Sequence, residues 1–199
     1  MAIDDPQANQ PAMQIETIDL RTIREGDARA IATLLCAVWP KLGRTVETLT
    51  ADLVTRWRDY RGPEAEYPRS FVIRENGKVI AHASATPRMI STKVGELRIL
   101  ALARVCTDPD ARGRKLGDLV ARAAFDLVDN GTFAFALFQT NEAVKPFYER
   151  FGAVPVDNRF INSVADDPTA SPFWDRVIMR YPAKPGWPAG EIDLRGPGW

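Results

Sequence analysis

Hydrophobic and polar positions follow two periods along the chain, which predicts a fold that mixes helices and strands. Apolar residues spaced three and four apart indicate amphipathic helices, whereas short apolar runs bounded by turn residues indicate buried strands. Helices are predicted at residues 26–39, 46–60, 116–128 and 142–151. Strands are predicted at residues 15–20, 70–74, 79–86, 96–107, 133–138, 154–160 and 174–181.

Turn and cap residues set the limits of several of these elements. Gly26 and Asp27 offer a cap for the first helix. Asn76-Gly77 predicts a tight hairpin between two strands, and Pro87 is expected to end the second of them. Asn130-Gly131 ends the third helix. The early part of the chain is therefore expected to contain an antiparallel strand pair.

Two predicted strands, Glu96–Thr107 and Phe133–Phe138, are mostly apolar and are expected to be buried on both faces. A helix of suitable length lies between them, so the three elements form a βαβ unit. The two strands should therefore run parallel, either paired directly or close together.

The chain of 199 residues is expected to form one domain, residues 14–182, with two appendages. Residues 1–13 are predicted to be a flexible leader, and the Pro-, Gly- and Trp-rich residues 183–199 an irregular C-terminal tail. The leader lacks the apolar core of a secretory signal, and no apolar run is long enough to span a membrane. We therefore expect a cytoplasmic protein with no membrane partner.

Charge and composition argue against several classes of protein. The 26 Lys and Arg residues balance 26 Asp and Glu residues, which is unlike the basic excess of nucleic-acid binders. The single histidine, His82, excludes an HExxH zinc site, and two cysteines are too few for a Cys-rich zinc module. We expect neither a nucleic-acid partner nor a metal ion.

The loop from Asp108 to Asp118 carries the clearest chemical signal. It joins a predicted buried strand to a helix and contains three cations and two glycines: Arg112, Gly113, Arg114, Lys115 and Gly117. A helix N-terminus offers unpaired N–H groups and the positive end of the helix dipole, so it is suited to phosphate. The loop matches neither GxxxxGK[ST] nor GxGxxG. Taken alone, it is equally well interpreted as a solvated basic turn.

A second motif follows the next predicted strand. Asn141, Tyr148 and Gly152 fit the pattern Asn-x-x-Ala-x-x-x-Tyr-x-x-x-Gly, with Val144 in the alanine position. With the basic loop, this motif resembles the GNAT superfamily of acyl-CoA-dependent N-acyltransferases, most strongly over residues 97–153. The resemblance implies an α/β (α+β) fold with a mixed, mostly antiparallel central sheet, a βαβ acyl-CoA-binding core and flanking helices.

The resemblance also implies acetyl-CoA or another acyl-CoA as co-substrate. Asn141 would contact the pantetheine arm of that molecule, and the backbone of Val105, Cys106 and Thr107 would pair with it. The pyrophosphate would lie along Arg112, Gly113, Arg114, Lys115, Leu116, Gly117 and Asp118. Lys115 stands where the family usually has its first glycine, so it adds charge but limits how closely the backbone approaches the ligand.

Tyr148 would be the general acid that protonates the leaving thiolate. Proton transfer from a tyrosine of pKa ~10 to a thiolate of pKa ~8.5 is uphill by about 2 kcal/mol. Tyr148 therefore needs a lowered pKa, or it acts mainly as a hydrogen-bond donor. An alkyl ammonium is only ~0.1% deprotonated near pH 7, so a general base is useful. Glu96 and His82 are the candidates, neither is convincing, and the base stays unassigned.

Each of these side chains also has a structural interpretation. Tyr148 suits a core position, His82 suits a buried strand, and Cys106 suits a small buried hydrophobe. Arg98 and Arg104 interrupt an apolar strand, so each is expected to reach a carboxylate or a cleft.

The expected function is acyl transfer to the amine of a small molecule or peptide, directly within a ternary complex. Two alternatives remain: a catalytically weak GNAT-like module that binds CoA, and a binder of nucleotides or other phosphates that uses the same basic loop. Formation of a homodimer through the late strands or the tail is also left open.

Overall fold

The computed structural model describes residues 13–199, so residues 1–12 of the predicted leader lie outside the described part of the chain. Within that part, nine strands form one sheet and four α-helices pack against it. The helices are α1 (Glu25–Val38), α2 (Val46–Thr55), α3 (Leu116–Asp129) and α4 (Lys145–Glu149). The strands are β1 (Ile15–Asp19), β2 (Arg69–Glu75), β3 (Lys78–Thr92), β4 (Gly95–Thr107), β5 (Ala136–Thr140), β6 (Val154–Pro155), β7 (Phe160–Ile161), β8 (Val177–Tyr181) and β9 (Ile192–Asp193).

The sheet is mixed and mostly antiparallel, as the resemblance implied. Its strands follow the order β1-β2-β3-β4-β5-β8-β6, and β9 pairs with both β3 and β7. The β4–β5 and β7–β9 pairs are parallel, whereas the others are antiparallel. The predicted βαβ unit is confirmed, since α3 connects the parallel strands β4 and β5.

The two faces of the sheet bury different clusters because neighbouring residues in a strand point to opposite sides. The α3 face carries Ala83, Leu100 and Phe138, which pack against α3 and α4 in one large apolar cluster. The opposite face, which we call the α1 face, carries two separate clusters. One lies under α1 and α2 around Val72, and the other lies under the C-terminal part of the chain around Ile99.

Two helices differ from the predicted ones at their ends. α1 begins at Glu25 with Arg24 as its N-cap, without a side-chain capping bond. Asp27, predicted as part of the cap, instead pairs with Arg74 at 2.6 Å. α2 ends at Thr55 rather than at residue 60, yet Trp57 packs against the same cluster as α2. The apolar period therefore continues past the helix because a turn keeps Trp57 on the buried side.

The prediction that Pro87 ends its strand is wrong, because β3 continues to Thr92. β2 begins at Arg69, opposite Ala85, so beyond that pair one edge of β3 has no neighbour until β9 reaches Ser91. A proline has no N–H group to donate, and it is tolerated in a strand at such a free edge.

The predicted strand at residues 133–138 lies further along the chain, at Ala136–Thr140. Phe133 and Phe135 are buried outside any strand, Phe133 in the cluster on the α3 face and Phe135 edge-on to Trp187. The strand predicted at residues 154–160 is reduced to two short pieces, β6 and β7, and the one at 174–181 begins at Val177.

Residues 183–199 have little regular secondary structure beyond β9, but they pack against the sheet. Ile192 and Leu194 are fully buried, and Trp199 Nε1 donates to Leu137 O at 3.1 Å. Arg88 donates to Leu194 O. This segment therefore covers part of the α1 face. Among the residues from Met13 onward, no helix is both long and apolar enough to cross a membrane.

Candidate active site

The central strands β4 and β5 separate soon after they meet. They pair only at Leu100 with Ala136 and at Ala101 with Leu137. In the described structure, β4 continues to Thr107 with β3 on one side and no strand on the other. We call residues 103–107 the open edge. A free strand edge presents backbone N–H and C=O groups to which an extended ligand can add as a further strand.

A bulge interrupts β4 within this open edge. A single residue of β3, Ala83, faces both Arg104 and Val105, and Arg104 has a left-handed backbone with φ 55°. That conformation costs about 1–2 kcal/mol for a residue with a side chain. The surrounding structure must therefore hold the bulge in place.

His82, on the neighbouring strand β3, holds the bulge in place. Its Nδ1 lies 2.8 Å from the carbonyl oxygen of Arg104, and its Nε2 lies 2.9 Å from Ser70 Oγ. Because a carbonyl only accepts, Nδ1 carries the hydrogen, and in the neutral ring Nε2 accepts from the Ser70 hydroxyl. Burial lowers the pKa of His82 to about 4. His82 is therefore held as a structural residue, and this environment argues against a role as general base.

The position of Glu96 argues against it as the base as well. It lies near the start of β4, and its Oε1 pairs with Arg195 Nη1 at 2.6 Å. Nine residues separate it from Val105, and along an extended strand that is about 30 Å. Glu96 therefore lies far from the open edge.

The loop after β4 forms an anion-binding arrangement at the start of α3. The Asp108 carboxylate caps the first turn of this loop, ahead of α3, by accepting a hydrogen bond from Asp110 N at 3.0 Å. Lys78 pairs with Asp108 at 2.6 Å, and that contact holds the pKa of Asp108 below its usual value. Within residues 13–199, the backbone N–H groups of residues 113–117 donate to no protein acceptor. These free donors lie at the positive end of the α3 dipole.

The basic side chains of the loop do not all face the same way. Arg114 pairs with Glu75 at 2.7 Å, and this hydrogen bond lowers the pKa of Glu75. Asp118 accepts from Arg150 at 3.2 Å. Arg112 and Lys115 are exposed, and no ion pair engages either of them in the described chain. These two side chains are the loop cations that remain available to a ligand.

Lys115 takes the conformation that a glycine would take. Its φ is 58°, and it forms the N-cap of α3 without a side-chain hydrogen bond. The loop therefore makes the left-handed turn despite the missing glycine. Gly117 follows in the first turn, where an added Cβ would lie 3.5 Å from Thr107 Oγ1. The helix start thus packs directly against the end of β4, beside Leu116, which is buried.

Tyr148 lies on α4 within the aromatic part of the core on the α3 face. Its side chain is 6% exposed, and its ring centroid lies 4.5 Å from that of Phe138 and 4.9 Å from that of Phe147. Burial raises the pKa of Tyr148, and the nearby Cys106 thiol adds to this effect. The structure therefore disfavours a lowered pKa for Tyr148 and favours a hydroxyl that keeps its proton.

Cys106 is buried on β4, and burial raises the pKa of its thiol to about 12, with a further contribution from Asp108. A nucleophilic cysteine needs a thiolate, which this environment suppresses. Asn141 follows β5, and its Oδ1 accepts from Val144 N at 3.0 Å. It thereby shapes the turn that places α4 and Tyr148, while its contact with pantetheine stays a prediction.

The predicted pairing of both strand arginines is confirmed. Arg98 donates to Glu66 at 3.0 Å, and Arg104 Nη2 lies 3.9 Å from Asp52 Oδ2. Sequence reasoning missed the bulge at Arg104, since no glycine marks it. It also missed two further arginines beside that residue, Arg44 and Arg56, because they belong to a different part of the chain.

Two surface cavities lie elsewhere, beside β6, β8 and the C-terminal segment. The larger, about 480 Å³, includes Trp174 and Arg176 in its lining, and the smaller, about 410 Å³, includes Lys184. The open edge contributes no residue to either. The described residues contain no group of three or more His, Cys, Asp and Glu side chains that would hold a metal ion.

Comparisons with known proteins agree with this geometry. The model of the acetyltransferase (GNAT) family matches residues 29–153, well over half of the chain. No curated protein sequence matches the chain. The structure resembles the Escherichia coli GNAT family N-acetyltransferase YhbS, solved in complex with CoA, with a TM-score of 0.62 and 16% identity over 94% of this chain and 93% of that one.

Two further solved structures show the same fold. Glucosamine-6-phosphate N-acetyltransferase from Arabidopsis thaliana matches with a TM-score of 0.55 and 19% identity, over 71% of this chain and 91% of that one. A GCN5-related N-acetyltransferase from Kribbella flavida matches with a TM-score of 0.53 and 17% identity, over 71% of this chain. The alignment spans only 33% of the Kribbella protein.

Proposed function

The chain belongs to the acetyltransferase (GNAT) family, and we propose that it transfers an acyl group from acetyl-CoA, or another acyl-CoA, to an amine acceptor. One observation carries this proposal. The open edge of β4 leads directly to a helix start whose backbone N–H groups, residues 113–117, are free. An extended arm that ends in a pyrophosphate fits that combination of a strand edge and an anion site.

The residues present fit an acyl-CoA along this path. Free N–H groups and the Arg112 and Lys115 side chains would hold the pyrophosphate. The backbone of Val105, Cys106 and Thr107 would hold the pantetheine arm as an added strand. The bound molecule supplies a thioester, whose carbonyl would lie near the bulge at Arg104.

Transfer within a ternary complex needs few groups from the protein. The acceptor nitrogen attacks the thioester carbonyl, and the oxygen that becomes negative accepts hydrogen bonds from backbone N–H groups of the open edge. The C–S bond then breaks, the sulfur leaves as a thiolate, and the nitrogen loses its extra proton to solvent water. The Tyr148 hydroxyl donates to that sulfur. Because burial raises its pKa, Tyr148 acts chiefly as a hydrogen-bond donor rather than as a strong acid.

The chain performs this transfer directly, without an acyl-enzyme. Cys106 is the thiol beside Tyr148, and its raised pKa keeps it protonated at neutral pH. We assign no side chain as general base. The acceptor enters as the free amine, which for an alkyl amine is ~0.1% of the total near pH 7. Turnover therefore rises with pH until the acceptor itself is deprotonated.

The decisive test measures binding and turnover in the same protein. Calorimetry with CoA and the release of free thiol from acetyl-CoA, across a panel of amines, are expected to show both. Arg112→Ala is expected to weaken CoA binding about tenfold, because it removes a charged donor to phosphate. Arg61→Ala removes an exposed arginine from a distant loop and serves as the matched control.

Other outcomes would support the alternatives. CoA binding without release of thiol for any amine would favour a module that binds CoA. Stabilisation by a nucleotide but not by CoA would contradict both the acyltransferase and the CoA-binding module, and it would favour a general phosphate binder. Unchanged CoA affinity in Arg112→Ala would remove that side chain from the pyrophosphate site.

A further inference from the structure

Two arginines, Arg104 and Arg56, lie near a single aspartate beside the open edge. Arg104 comes from the bulge in β4, and its Nη2 lies 3.9 Å from Asp52 Oδ2, whereas Arg56, which follows α2, pairs with the same carboxylate at 2.7 Å. Arg44, from the loop between α1 and α2, is close enough to Arg104 to lower its pKa. We call these four residues the arginine cluster.

The one carboxylate of the cluster is already neutralised. Both oxygens of Asp52 accept from Nε and Nη2 of Arg56, at distances between 2.7 and 3.2 Å. Arg104 comes no closer to Asp52 than 3.9 Å. Arg44 is half-buried, and no ion pair engages it within the described chain. The cluster therefore holds two positive charges beyond what its carboxylate balances.

The side chain of Arg104 is the least satisfied member of the cluster. It is only 27% exposed, and among residues 13–199 its guanidinium donates no hydrogen bond. A guanidinium carries five N–H donors, and leaving them without acceptors in a mostly buried position is costly. Burial lowers the pKa of Arg104, and Arg44 and Arg56 lower it further. Such a group is stabilised by an anion that supplies both charge and acceptors.

The α1 face beside the cluster carries small or polar side chains. Ser84 pairs with Ala103 and Thr86 with Ala101, and these residues separate the two apolar clusters of that face. Ser84, Thr86 and Ala103 are half-buried rather than covered. A strip of small side chains therefore leads along the α1 face to the bulge carrying Arg104.

Two segments approach each other over the α1 face. The loop between α1 and α2 reaches the segment before β8, where Lys41 Nζ lies 5.6 Å from the centre of the Trp174 ring. The same loop carries Arg44. Because α3, α4 and Tyr148 cover the other face, the α1 face is the side on which the cluster would meet an acceptor.

We propose that Arg104 and Arg44 bind an anionic group, a carboxylate or a phosphate, carried by the amine acceptor. This inference rests on the proposed function and names the class of its substrate. The phosphates of CoA are not the occupant, because their loop leads into α3 on the opposite face. Arg56 has a structural role: it binds Asp52, so that this carboxylate does not neutralise Arg104.

The test compares acceptors that differ only in charge. Ethanolamine phosphate is paired with ethanolamine, and glycine with glycinamide, each with acetyl-CoA as donor. The anionic member of at least one pair is expected to have a kcat/KM about tenfold higher or more, mainly through KM. The two pairs distinguish a phosphate from a carboxylate.

Variants connect that preference to the cluster. Arg44→Gln is expected to abolish the preference while leaving kcat/KM for the neutral acceptor within about twofold. Arg104→Gln is expected to abolish the preference as well. Arg104→Lys should keep a substantial part of it. Arg58→Gln removes an exposed arginine that follows α2, and it should leave the preference for anionic acceptors unchanged. If Arg104→Gln fails to fold, Arg44→Gln, in the loop between α1 and α2, tests the proposal in its place.

A binding measurement does not depend on turnover. Inorganic phosphate and succinate are titrated into protein saturated with CoA, so that the loop before α3 is filled. At least one of them should bind, and Arg44→Gln should weaken that binding about tenfold. Failure of CoA itself to bind would overturn the proposed function rather than this inference.

Two results would overturn the inference while the proposed function stands. One is normal CoA binding and turnover with equal kcat/KM for charged and neutral acceptors. The other is a preference for succinyl-CoA over acetyl-CoA with neutral amines that Arg104→Gln removes. That result would place the anion on the donor instead of the acceptor.

Discussion

The two halves of β4 have similar apolar sequences but different neighbours. Residues 97–102 include Leu100 and Ala101, which pair with both β3 and β5, and Leu100 is fully buried there. Residues 103–107 keep β3 but lose β5, and Arg104 turns the backbone into a left-handed conformation. The first half builds the sheet, and the second half leaves backbone groups free for a ligand.

The difference between the two halves of β4 shows which part of the strand can bind a ligand. A strand with partners on both sides has used its N–H and C=O groups, so it can only contribute packing. The second half contributes fewer buried side chains, but it offers hydrogen bonds to a ligand. We therefore expect substitutions in the first half to change stability, and changes around the second half to alter binding or turnover.

The largest expected effect is on stability and comes from the first half. Leu100→Ala should lower the free energy of unfolding by about 2–5 kcal/mol, because it leaves a cavity in a fully buried site. Val105→Ala, in the half-buried second half, should cost about 1 kcal/mol. Urea denaturation measures both. Equal losses from the two substitutions would remove the distinction between the halves.

Next in size is the effect of Tyr148→Phe on turnover. The Tyr148 hydroxyl faces no described partner, so its removal should leave folding nearly unchanged and lower kcat about 100-fold. CoA affinity should stay within about twofold. Tyr67→Phe makes the same chemical change at a site distant from the open edge and serves as control. Full activity in Tyr148→Phe would exclude a role for the hydroxyl in transfer.

A third prediction concerns pH and the residue that holds the bulge. The pKa of His82 is lowered to about 4 in the folded protein, so the unfolded chain takes up a proton first as the pH falls. The contribution of His82 to stability is complete above its unfolded pKa of about 6.5 and is lost as the pH falls toward 4. Between pH 7 and pH 5 the loss is about 2 kcal/mol.

His82→Gln isolates that contribution, because glutamine does not titrate and the carboxylates common to both proteins cancel. Urea denaturation at pH 7 and pH 5 should show a pH dependence smaller by about 2 kcal/mol in the variant. The same pH dependence in both proteins would mean that His82 is not held neutral against the Arg104 carbonyl.

The smallest predicted effect is on CoA binding by the loop that follows the second half of β4. Lys115→Ala keeps a Cβ and removes a charge, so CoA binding should weaken about two- to fivefold, the size expected of an exposed charge. Calorimetry at low and high salt should show that the difference shrinks with salt. Tighter CoA binding in the variant would mean that the side chain obstructs the ligand.

The sequence predicted the features that depend on local signals. Asn76-Gly77 identified the hairpin, and the apolar period of residues 116–128 identified α3. The features it missed depend on distant neighbours. Pro87 is tolerated because β2 starts late, and the buried Ile192 and Leu194 stand among prolines and glycines without a readable period.

The candidate site shows the same division. The loop at residues 112–118 and Tyr148 could be proposed from the sequence because their motifs are local. The bulge was missed because a left-handed backbone usually needs a glycine, and here Arg104 adopts it under the constraint of His82. The excess positive charge beside Arg104 became visible only when the structure placed Arg56 on Asp52, the carboxylate that Arg104 approaches.

Amide hydrogen exchange, followed by NMR with and without CoA, tests the central claim most directly. The claim is that the open edge of β4 binds the ligand as an added strand. Amides of residues 103–107 that face away from β3, with those of residues 113–117, should become protected, while those of residues 97–102 stay unchanged. Protection that spreads evenly along β4, or that leaves residues 103–107 unaffected, would contradict the account.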